Sequence, residues 1–263
     1  MTDDTPILGF GPETFGALNA EAYDAGLPPA ADTLQAVDFL AALARGGPVL
    51  ELAIGTGRVA LPLAERGLSV AGVEASAEMV AKLRAKPLGA SIPVTIGDMS
   101  DVAPEGAYDL VFLVFNTLFN LTSQDAQVRC FRNAAEHLTE RGVFVIEAFV
   151  PSPAHFTDPD RVRPMRISMN SLVLEASMHD AVRQLIRYQY VTLTRNGVRL
   201  TPLPMRYAWP AELDLMGRLA GLELRERWAG WDRAPFTATS PSHVSVYRRA
   251  QGADPVDRGD ILP

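Results

Sequence analysis

The sequence predicts an α/β fold with a doubly wound, largely parallel sheet, into which a smaller antiparallel sheet is inserted after the fifth strand. Short apolar segments alternate with helical patterns as far as about residue 150. The helical patterns carry start signals such as Ser76 and Pro210. From 151 to 208 the pattern changes to alternating segments, among which Asn196-Gly197 is typical of a hairpin turn.

Each core strand is predicted from an apolar run that ends in a turn signal. The first long helix is expected at 32–45 with Asp32 as its N-cap, and another helix follows a capping box, Thr122-x-x-Asp125. The predicted core strands begin at Val49 and continue at 68–73, 92–96, 108–115, 143–148, 222–227 and 243–249. The predicted strands of the inserted sheet are 165–169, 172–178, 182–194 and 198–206.

The composition is that of an acidic globular chain. Its 263 residues carry a net charge of −7 and a single cysteine, Cys130, which we expect to fill the core. Nucleic-acid binding needs a basic surface, and one cysteine forms no intrachain disulfide. The sequence has the pattern of neither a signal peptide nor a membrane span. We therefore expect a cytoplasmic protein with a small-molecule partner, no nucleic acid and no membrane.

The run from Val49 to Ala60 carries the strongest signal. An apolar strand ends in Gly55-Thr56-Gly57 and passes into a helix, so the backbone can approach a ligand closely. The spacing also satisfies a dinucleotide pattern. However, Glu51 lies inside the strand, where a carboxylate needs a cationic or hydrogen-bonding partner. It would repel the pyrophosphate of NAD, whereas the ammonium and sulfonium of S-adenosylmethionine suit it.

Two more acids follow the next two predicted strands. Glu74 ends the second strand, and Asp98 follows the third. Ligands of open α/β sheets bind outside the carboxyl ends of the strands, where Glu51, Glu74 and Asp98 are expected to meet. An acid at the end of the second strand accepts hydrogen bonds from ribose hydroxyls. The three positions together predict a nucleoside-binding cleft.

These residues resemble the class I S-adenosylmethionine-dependent methyltransferases, whose first motif is an acid, three residues and Gly-x-Gly. The layout is similar to the N,N-dimethyltransferases of deoxyamino sugars, whose Gly-Thr-Gly and Gly-Asp-Met strings recur at 55–57 and 97–99. The resemblance implies a Rossmann-like seven-stranded sheet with an antiparallel last strand. It implies a cofactor-binding core at 1–150 and 209–250, an inserted sheet at 151–208 and a flexible tail at 251–263.

The resemblance also implies a set of contacts with S-adenosylmethionine. In the family, the acid after the third strand accepts from the adenine amino group, the next residue packs on the ring, and an aromatic hydroxyl before the first core helix covers the cofactor. Simpler interpretations remain: Met79 as core, Asn116 and Thr117 as a turn, and Tyr23 as an anchor of the N-terminal arm. The expected contact residues are Tyr23, Glu51, Ala53, Gly55, Thr56, Gly57, Arg58, Glu74, Ala75, Met79, Asp98, Met99, Phe115, Asn116 and Thr117.

Two residues are candidates for a general base. Methyl transfer to a hydroxyl needs a base, whereas a neutral amine needs little beyond positioning. Glu147 and His243 are expected at the rim of the sheet, although each has an ordinary structural interpretation. No clear base emerges, so nitrogen is favoured over oxygen as the acceptor atom, and no metal site is expected.

The sequence thus predicts a methyltransferase that acts on a small molecule, such as one in natural-product biosynthesis, and releases S-adenosylhomocysteine. The inserted sheet is expected to cover the active site, to form a homodimer interface, or both. Two alternatives remain at this point. One is an NAD-dependent oxidoreductase with a similar sheet, and the other is a non-catalytic binding protein on a methyltransferase scaffold.

Overall fold

The computed structural model describes residues 10–24, 30–152 and 160–250, and the structural statements below refer to these residues. The predicted flexible tail lies outside them. Within the described ranges, none of the helices combines the length and the apolar character that a membrane crossing requires.

A seven-stranded sheet forms the centre of the molecule, as the sequence predicts. It has the order β3-β2-β1-β4-β5-β11-β10, in which β1 to β5 run parallel and β11 runs antiparallel to both β5 and β10. The carboxyl ends of the parallel strands therefore share one edge. The strands along the described chain are β1 (Val49–Leu52), β2 (Val70–Glu74), β3 (Val94–Ile96), β4 (Tyr108–Leu113), β5 (Leu138–Phe149), β6 (Arg161–Ile167), β7 (Ser171–Asp180), β8 (Leu185–Thr194), β9 (Gly197–Arg206), β10 (Leu222–Trp228) and β11 (Ser242–Arg249).

Helices cover both faces of this sheet. One face packs against α5 and α6 through a core that contains Phe131, Phe144 and Tyr247, and the other packs against α2 and α3 around Phe39 and Leu63. Cys130 is buried in the first of these cores, as expected. The helices are α1 (Thr14–Asn19), α2 (Ala30–Ala44), α3 (Ala60–Glu65), α4 (Ala77–Arg84), α5 (Gln124–Glu136) and α6 (Pro210–Leu219), with 3-10 turns at Gly89–Ser91 and Thr117–Asn120.

Two predicted helix caps are wrong. Helix α2 begins at Ala30, which places Asp32 in its first turn instead of at the N-cap. Helix α5 is capped by Ser123, whose hydroxyl accepts a hydrogen bond from the Ala126 amide at 3.2 Å, so Thr122 is not the cap. Neighbouring cap-forming residues compete for the same amides, and local sequence does not decide between them.

The smaller sheet follows β5, as predicted, and has the antiparallel order β6-β7-β8-β9. The β8–β9 turn contains Asn196, and Gly197 has a φ of +138°, in agreement with the hairpin signal. Strand β8 begins at Leu185 rather than at 182, because Gln184 has a φ of +58° and ends the turn after β7.

A buried polar network attaches the end of β9 to the helices of the core. The Arg206 guanidinium, 6% exposed, donates to Gln127 Oε1 at 2.7 Å, to Gln184 Oε1 at 2.9 Å and to Glu212 Oε1 at 2.7 Å. Burial raises the pKa of Glu212, but hydrogen bonds from Gln184, Arg206 and Gln124 outweigh it and leave the pKa below its ordinary value. These bonds hold the smaller sheet beside the carboxyl edge of the main sheet.

Candidate active site

A cavity of about 830 Å³ lies at the carboxyl edge of the main sheet, between α1, the β1–β4 loops and the inner end of the smaller sheet. Its size is that of an ordinary small-molecule site. Nine of the expected contact residues line it: Tyr23, Ala53, Gly55, Glu74, Ala75, Met79, Asp98, Met99 and Thr117. Glu74, Asp98 and Gly55 therefore meet at this edge of the sheet, whereas Glu51 is not among the lining residues.

Glu51 is buried in β1 beside this cavity, with only 4% of its surface exposed. Its carboxylate receives one backbone hydrogen bond from Ala60, but Oε2 has no partner among the described residues. Burial raises the pKa of Glu51 well above its ordinary value, and nearby Glu74 adds to the rise. A buried acceptor without a donor is costly, so this position favours a cationic or hydrogen-bonding ligand.

Glu74 connects the end of β2 to the glycine loop. Its Oε2 accepts a hydrogen bond from the Gly55 amide at 2.8 Å, and its Oε1 accepts one from the Ser76 amide at 2.9 Å. Burial nevertheless leaves the pKa of Glu74 above its ordinary value. Each carboxylate oxygen has a second lone pair, so Glu74 can still accept from a hydroxyl in the cavity.

Asp98 forms the next part of the wall. Its Oδ1 accepts a hydrogen bond from the Ser100 amide at 2.8 Å, which fixes the turn after β3. Met79 and Met99 flank this part of the cavity and are 3% and 8% exposed, respectively. A cavity wall that carries both a carboxylate and two thioether side chains can recognise a flat ring that carries an amino group.

The two motif glycines have different surroundings. Gly55 has a φ of +56° and lines the cavity, and a Cβ on it would meet no atom within 4 Å. Gly57 has a φ of +81°, and a Cβ on it would lie 2.3 Å from Leu83 Cδ1 and 3.0 Å from Leu61 Cγ. Gly55 thus leaves open space beside a ligand, whereas Gly57 permits close packing of the loop.

Thr56 and Gly57 do not line the cavity but hold the loop and its neighbours in place. The Thr56 hydroxyl donates to Asp24 Oδ1 at 2.6 Å, and Lys86 Nζ contacts both Asp24 Oδ2 at 2.7 Å and the Thr56 carbonyl at 2.9 Å. These contacts join the N-terminal segment to the glycine loop. Tyr23, next to Asp24, therefore faces the cavity, and burial raises the pKa of its hydroxyl.

Arg58 and the segment after β4 form a second supporting layer. The Arg58 guanidinium lies 3.8 Å from the centre of the Phe115 ring, and its Nε donates to Thr33 Oγ1 at 2.8 Å. Phe115 and Asn116 have φ values of +57° and +62°, an uncommon conformation for two consecutive side-chain-bearing residues. Asn116 Oδ1 accepts from the Phe149 amide at 2.6 Å, so it is a structural link outside the cavity wall.

Glu147 and His243 do not face the cavity, which corrects the expectation that both stand at its rim. Glu147 accepts hydrogen bonds from the Phe115 amide at 2.9 Å and from the Trp231 indole at 3.1 Å. His243 is fully buried on the α5–α6 face of the sheet, and its Nδ1 lies 2.8 Å from Ser245 Oγ. Burial and the nearby Arg227 lower the pKa of His243 to about 4. A position at a strand end does not determine where the side chain points.

Sequence reasoning missed several parts of the wall, among them residues 121–124 at the start of α5. Phe10 and Phe15 come from the N-terminal segment, where Gly16 packs so closely that a Cβ would lie 2.4 Å from Ser76 Cβ. Gln184 and Arg206 come from the smaller sheet. No local pattern marks these residues, because their place depends on contacts between distant segments.

The comparisons with known proteins agree with this geometry. Residues 49–142 match a family model described as a methyltransferase domain. The structure of the CcbJ methyltransferase from Streptomyces caelestis is similar, with 42% identity, a TM-score of 0.85 and coverage of 92% of this chain and 100% of that one. The chain belongs to the S-adenosylmethionine-dependent methyltransferases. It is an enzyme, and S-adenosylmethionine is its cofactor.

Two further methyltransferases are similar to this chain. The chain is 28% identical over 244 residues to the cypemycin N-terminal methyltransferase of a Streptomyces species, which covers 90% of this chain and 98% of that protein. The sugar N-methyltransferase KedS8 from a Streptoalloteichus species shares the fold, with a TM-score of 0.63, 24% identity and coverage of 88% of this chain and 92% of that one. The predicted similarity to amino-sugar methyltransferases in layout is confirmed.

Proposed function

We propose that the acidic end of the cavity binds S-adenosylmethionine, with Glu51 as the partner of its ammonium group. The observation that supports this most directly is the buried Glu51 Oε2, which has no donor among the described residues. The open space at Gly55 and the acceptors on Glu74 and Asp98 also fit a phosphate-free, cationic nucleoside. A pyrophosphate would instead bring two negative charges towards three carboxylates.

We assign the remaining contacts by position on the wall. Glu74 accepts hydrogen bonds from the ribose hydroxyls and Asp98 from the adenine amino group, while Met79 and Met99 pack on the adenine ring. Tyr23 and Thr117 face the end of the ligand that carries the methyl group. Ala53 and Ala75 leave room for the ligand beside these groups. Thr56, Gly57, Arg58, Phe115 and Asn116 support the site through the contacts described above.

The chemistry needs few catalytic groups from the protein. When bound, the cofactor supplies a methyl group that its sulfonium already activates for displacement. The protein positions the acceptor and excludes water. Phe10 and Phe15 on one side and Leu203 on the other provide apolar walls for this purpose. The network around Arg206 holds the smaller sheet in position over the acceptor.

We propose that the acceptor atom is nitrogen, in a small molecule or peptide of natural-product biosynthesis. The relative that acts on the N-terminus of cypemycin supports this choice. So does the cavity wall, since its described side chains include no histidine, lysine or cysteine that could serve as a base. Burial raises the pKa of Tyr23, which keeps its hydroxyl protonated at neutral pH. A neutral amine can be methylated without a strong base.

Titration calorimetry tests the cofactor assignment. We expect S-adenosylhomocysteine to bind with one site per chain and NADH to give no measurable heat, because the pyrophosphate of NADH would face the carboxylates. Fluorescence transfer from tryptophan to NADH provides an independent check. Saturable NADH binding without binding of S-adenosylhomocysteine would overturn the assignment.

We further propose a cytoplasmic homodimer that uses the smaller sheet and requires neither nucleic acid nor membrane. The acidic net charge and the single buried Cys130 support a soluble, reducing environment. One face of the smaller sheet carries two cross-strand rows of aliphatic residues, Ile167-Leu172-Leu193-Val198 and Leu174-Val191-Leu200. A neutral apolar face of this kind is suited to packing against its own copy.

Sedimentation velocity tests the dimer. We expect a dimer at micromolar concentration, and we expect Leu200→Glu to produce monomers, since Leu200 is 58% exposed at the β9 end of the aliphatic face. Leu34→Glu is the matched control, because Leu34 is 54% exposed on α2, away from that sheet. A wild-type monomer, or a dimer that Leu200→Glu leaves intact, would contradict the proposal.

A further inference from the structure

The cavity is electrostatically divided. The charged side chains on its main-sheet side are the carboxylates Glu74 and Asp98. Those on the side of the smaller sheet are Arg183, Arg187 and Arg206. When the cofactor and the methyl acceptor fill the cavity together, the cofactor therefore lies beside negative charge and the acceptor beside positive charge.

Two of these arginines have anionic neighbours within the protein. Arg206 is paired with Glu212 at 2.7 Å and also donates to two glutamine side chains. Arg183 Nε lies 3.9 Å from Asp180 Oδ2. Their charges are compensated, at least in part, before any ligand arrives.

Arg187 has no such partner. Among the described residues, no carboxylate oxygen lies within 4.0 Å of its guanidinium, and no hydrogen bond is formed by it. Arg187 is half-buried and lines the cavity as the third residue of β8. The residues directly opposite on β7 and β9 are Met178 and Pro204, and neither can accept a hydrogen bond through a charged side chain.

We propose that Arg187 binds an anionic oxygen group of the methyl acceptor, a carboxylate or a phosphate, at the end of the acceptor remote from the reacting nitrogen. This proposal rests on the proposed function of the cavity. A partly desolvated guanidinium among apolar neighbours is stabilised by an anion, and its planar fork matches either group through two parallel hydrogen bonds. The anion would orient the acceptor so that its amine faces the cofactor end.

Matched probes test this subsite with the protein saturated by S-adenosylhomocysteine. The probes are N-acetyl-L-phenylalanine, its amide and phenyl phosphate, since Phe10, Phe15 and Leu203 give the cavity apolar walls for a phenyl ring. By titration calorimetry, we expect the carboxylate or the phosphate to bind at least roughly tenfold more tightly than the neutral amide, in the range of a charge-assisted hydrogen-bonded pair. The probe that binds identifies which anion the site prefers.

Variants then assign the preference to one residue. Arg187→Gln should abolish the difference between acid and amide, while Arg187→Lys should retain part of it. Arg195→Gln is the matched control, because Arg195 is exposed in the β8–β9 turn at the far end of the strand. Equal binding of anionic and neutral probes to the wild type, or a preference that survives in Arg187→Gln, would overturn the proposal.

The affinity for S-adenosylhomocysteine is measured first in every variant. If the wild type does not bind S-adenosylhomocysteine, the result counts against the proposed function. If it binds S-adenosylhomocysteine but shows no preference for the anionic probes, the result counts against the Arg187 subsite alone. Thermal unfolding of each variant confirms that the fold is intact. If Arg187→Gln fails to fold, the anion preference of Arg187→Lys is compared with that of the wild type. A reduced preference supports the proposal, and an unchanged preference overturns it.

Discussion

Replacing Glu51 with glutamine is expected to weaken the binding of S-adenosylhomocysteine by roughly 100-fold, or about 2.7 kcal/mol. The Glu51 carboxylate is 4% exposed, and its Oε2 has no donor among the described residues, so the ligand ammonium would be its principal partner. Removal of one member of a buried charge pair costs about 2–5 kcal/mol. Glutamine keeps the shape of the side chain and removes the charge, and titration calorimetry measures the loss.

The same substitution should not destabilise the ligand-free protein at neutral pH. Burial raises the pKa of Glu51 well above its ordinary value of 4.5. A raised folded-state pKa means that the contribution of Glu51 to stability is fully present below the unfolded-state pKa and is lost as the pH rises through the folded-state pKa. Glu51→Gln removes this loss, so the variant should gain stability relative to the wild type as the pH rises above 4.5.

Chemical unfolding of the wild type and of Glu51→Gln at several pH values measures this difference in stability. Because the two proteins share all the other buried acids, the difference between them reports on Glu51. Glu65→Gln is the control, since Glu65 is exposed at the end of α3 and should change neither affinity nor its pH dependence. Near wild-type affinity in Glu51→Gln would refute the ammonium role. Loss of affinity together with loss of folding would indicate a structural role instead.

Gly57→Ala is expected to lower the free energy of unfolding by about 2–5 kcal/mol. Alanine at a φ of +81° costs about 1–2 kcal/mol, and overpacking of a core adds about 1–3 kcal/mol. The added Cβ would lie 2.3 Å from Leu83 Cδ1, and Leu83 is fully buried, so it has little room to move. Urea unfolding measures the change.

Substitutions at two other glycines separate the backbone cost of a positive φ from the cost of overpacking. Gly67 has a φ of +82° with nothing within 4 Å of an added Cβ, so Gly67→Ala should show the backbone cost alone. Gly55→Ala should show a similar backbone cost but a much larger loss of S-adenosylhomocysteine affinity, because Gly55 lines the cavity. Equal stability losses in Gly57→Ala and Gly67→Ala would show that the contact with Leu83 is unimportant.

The parts of the fold that were predicted correctly are those with local causes. Ser76 caps α4 by accepting from the Met79 amide at 3.2 Å, and the Asn196-Gly197 pair turns the β8–β9 hairpin. The glycine loop and Glu51 depend on one strand–turn–helix segment. Each of these features needs only residues a few positions apart, and a single sequence contains that information.

The predictions that failed for the candidate base residues concern the directions of their side chains. Glu147 and His243 both lie near the carboxyl end of the main sheet, yet neither lines the cavity. Glu147 is held by Trp231 from the segment between β10 and β11, and His243 lies in a layer packed by α5 and α6. The orientation of Glu147 depends on a segment more than 80 residues away in the chain. The residue pattern of a single strand therefore cannot predict it.

The sequence by itself determined the fold class, the position of the glycine loop and the three strand-end acids, because alternation of apolar runs and turn signals is local and the parallel strands must share one edge. Only the tertiary structure decided which residues enclose the cavity from outside the main sheet. Arg199 donates to the Leu18 carbonyl at 2.6 Å, and Arg206 joins the smaller sheet to the core. Such contacts link segments far apart in the chain, and the charge of Arg187 meets the cavity only because they hold the smaller sheet there.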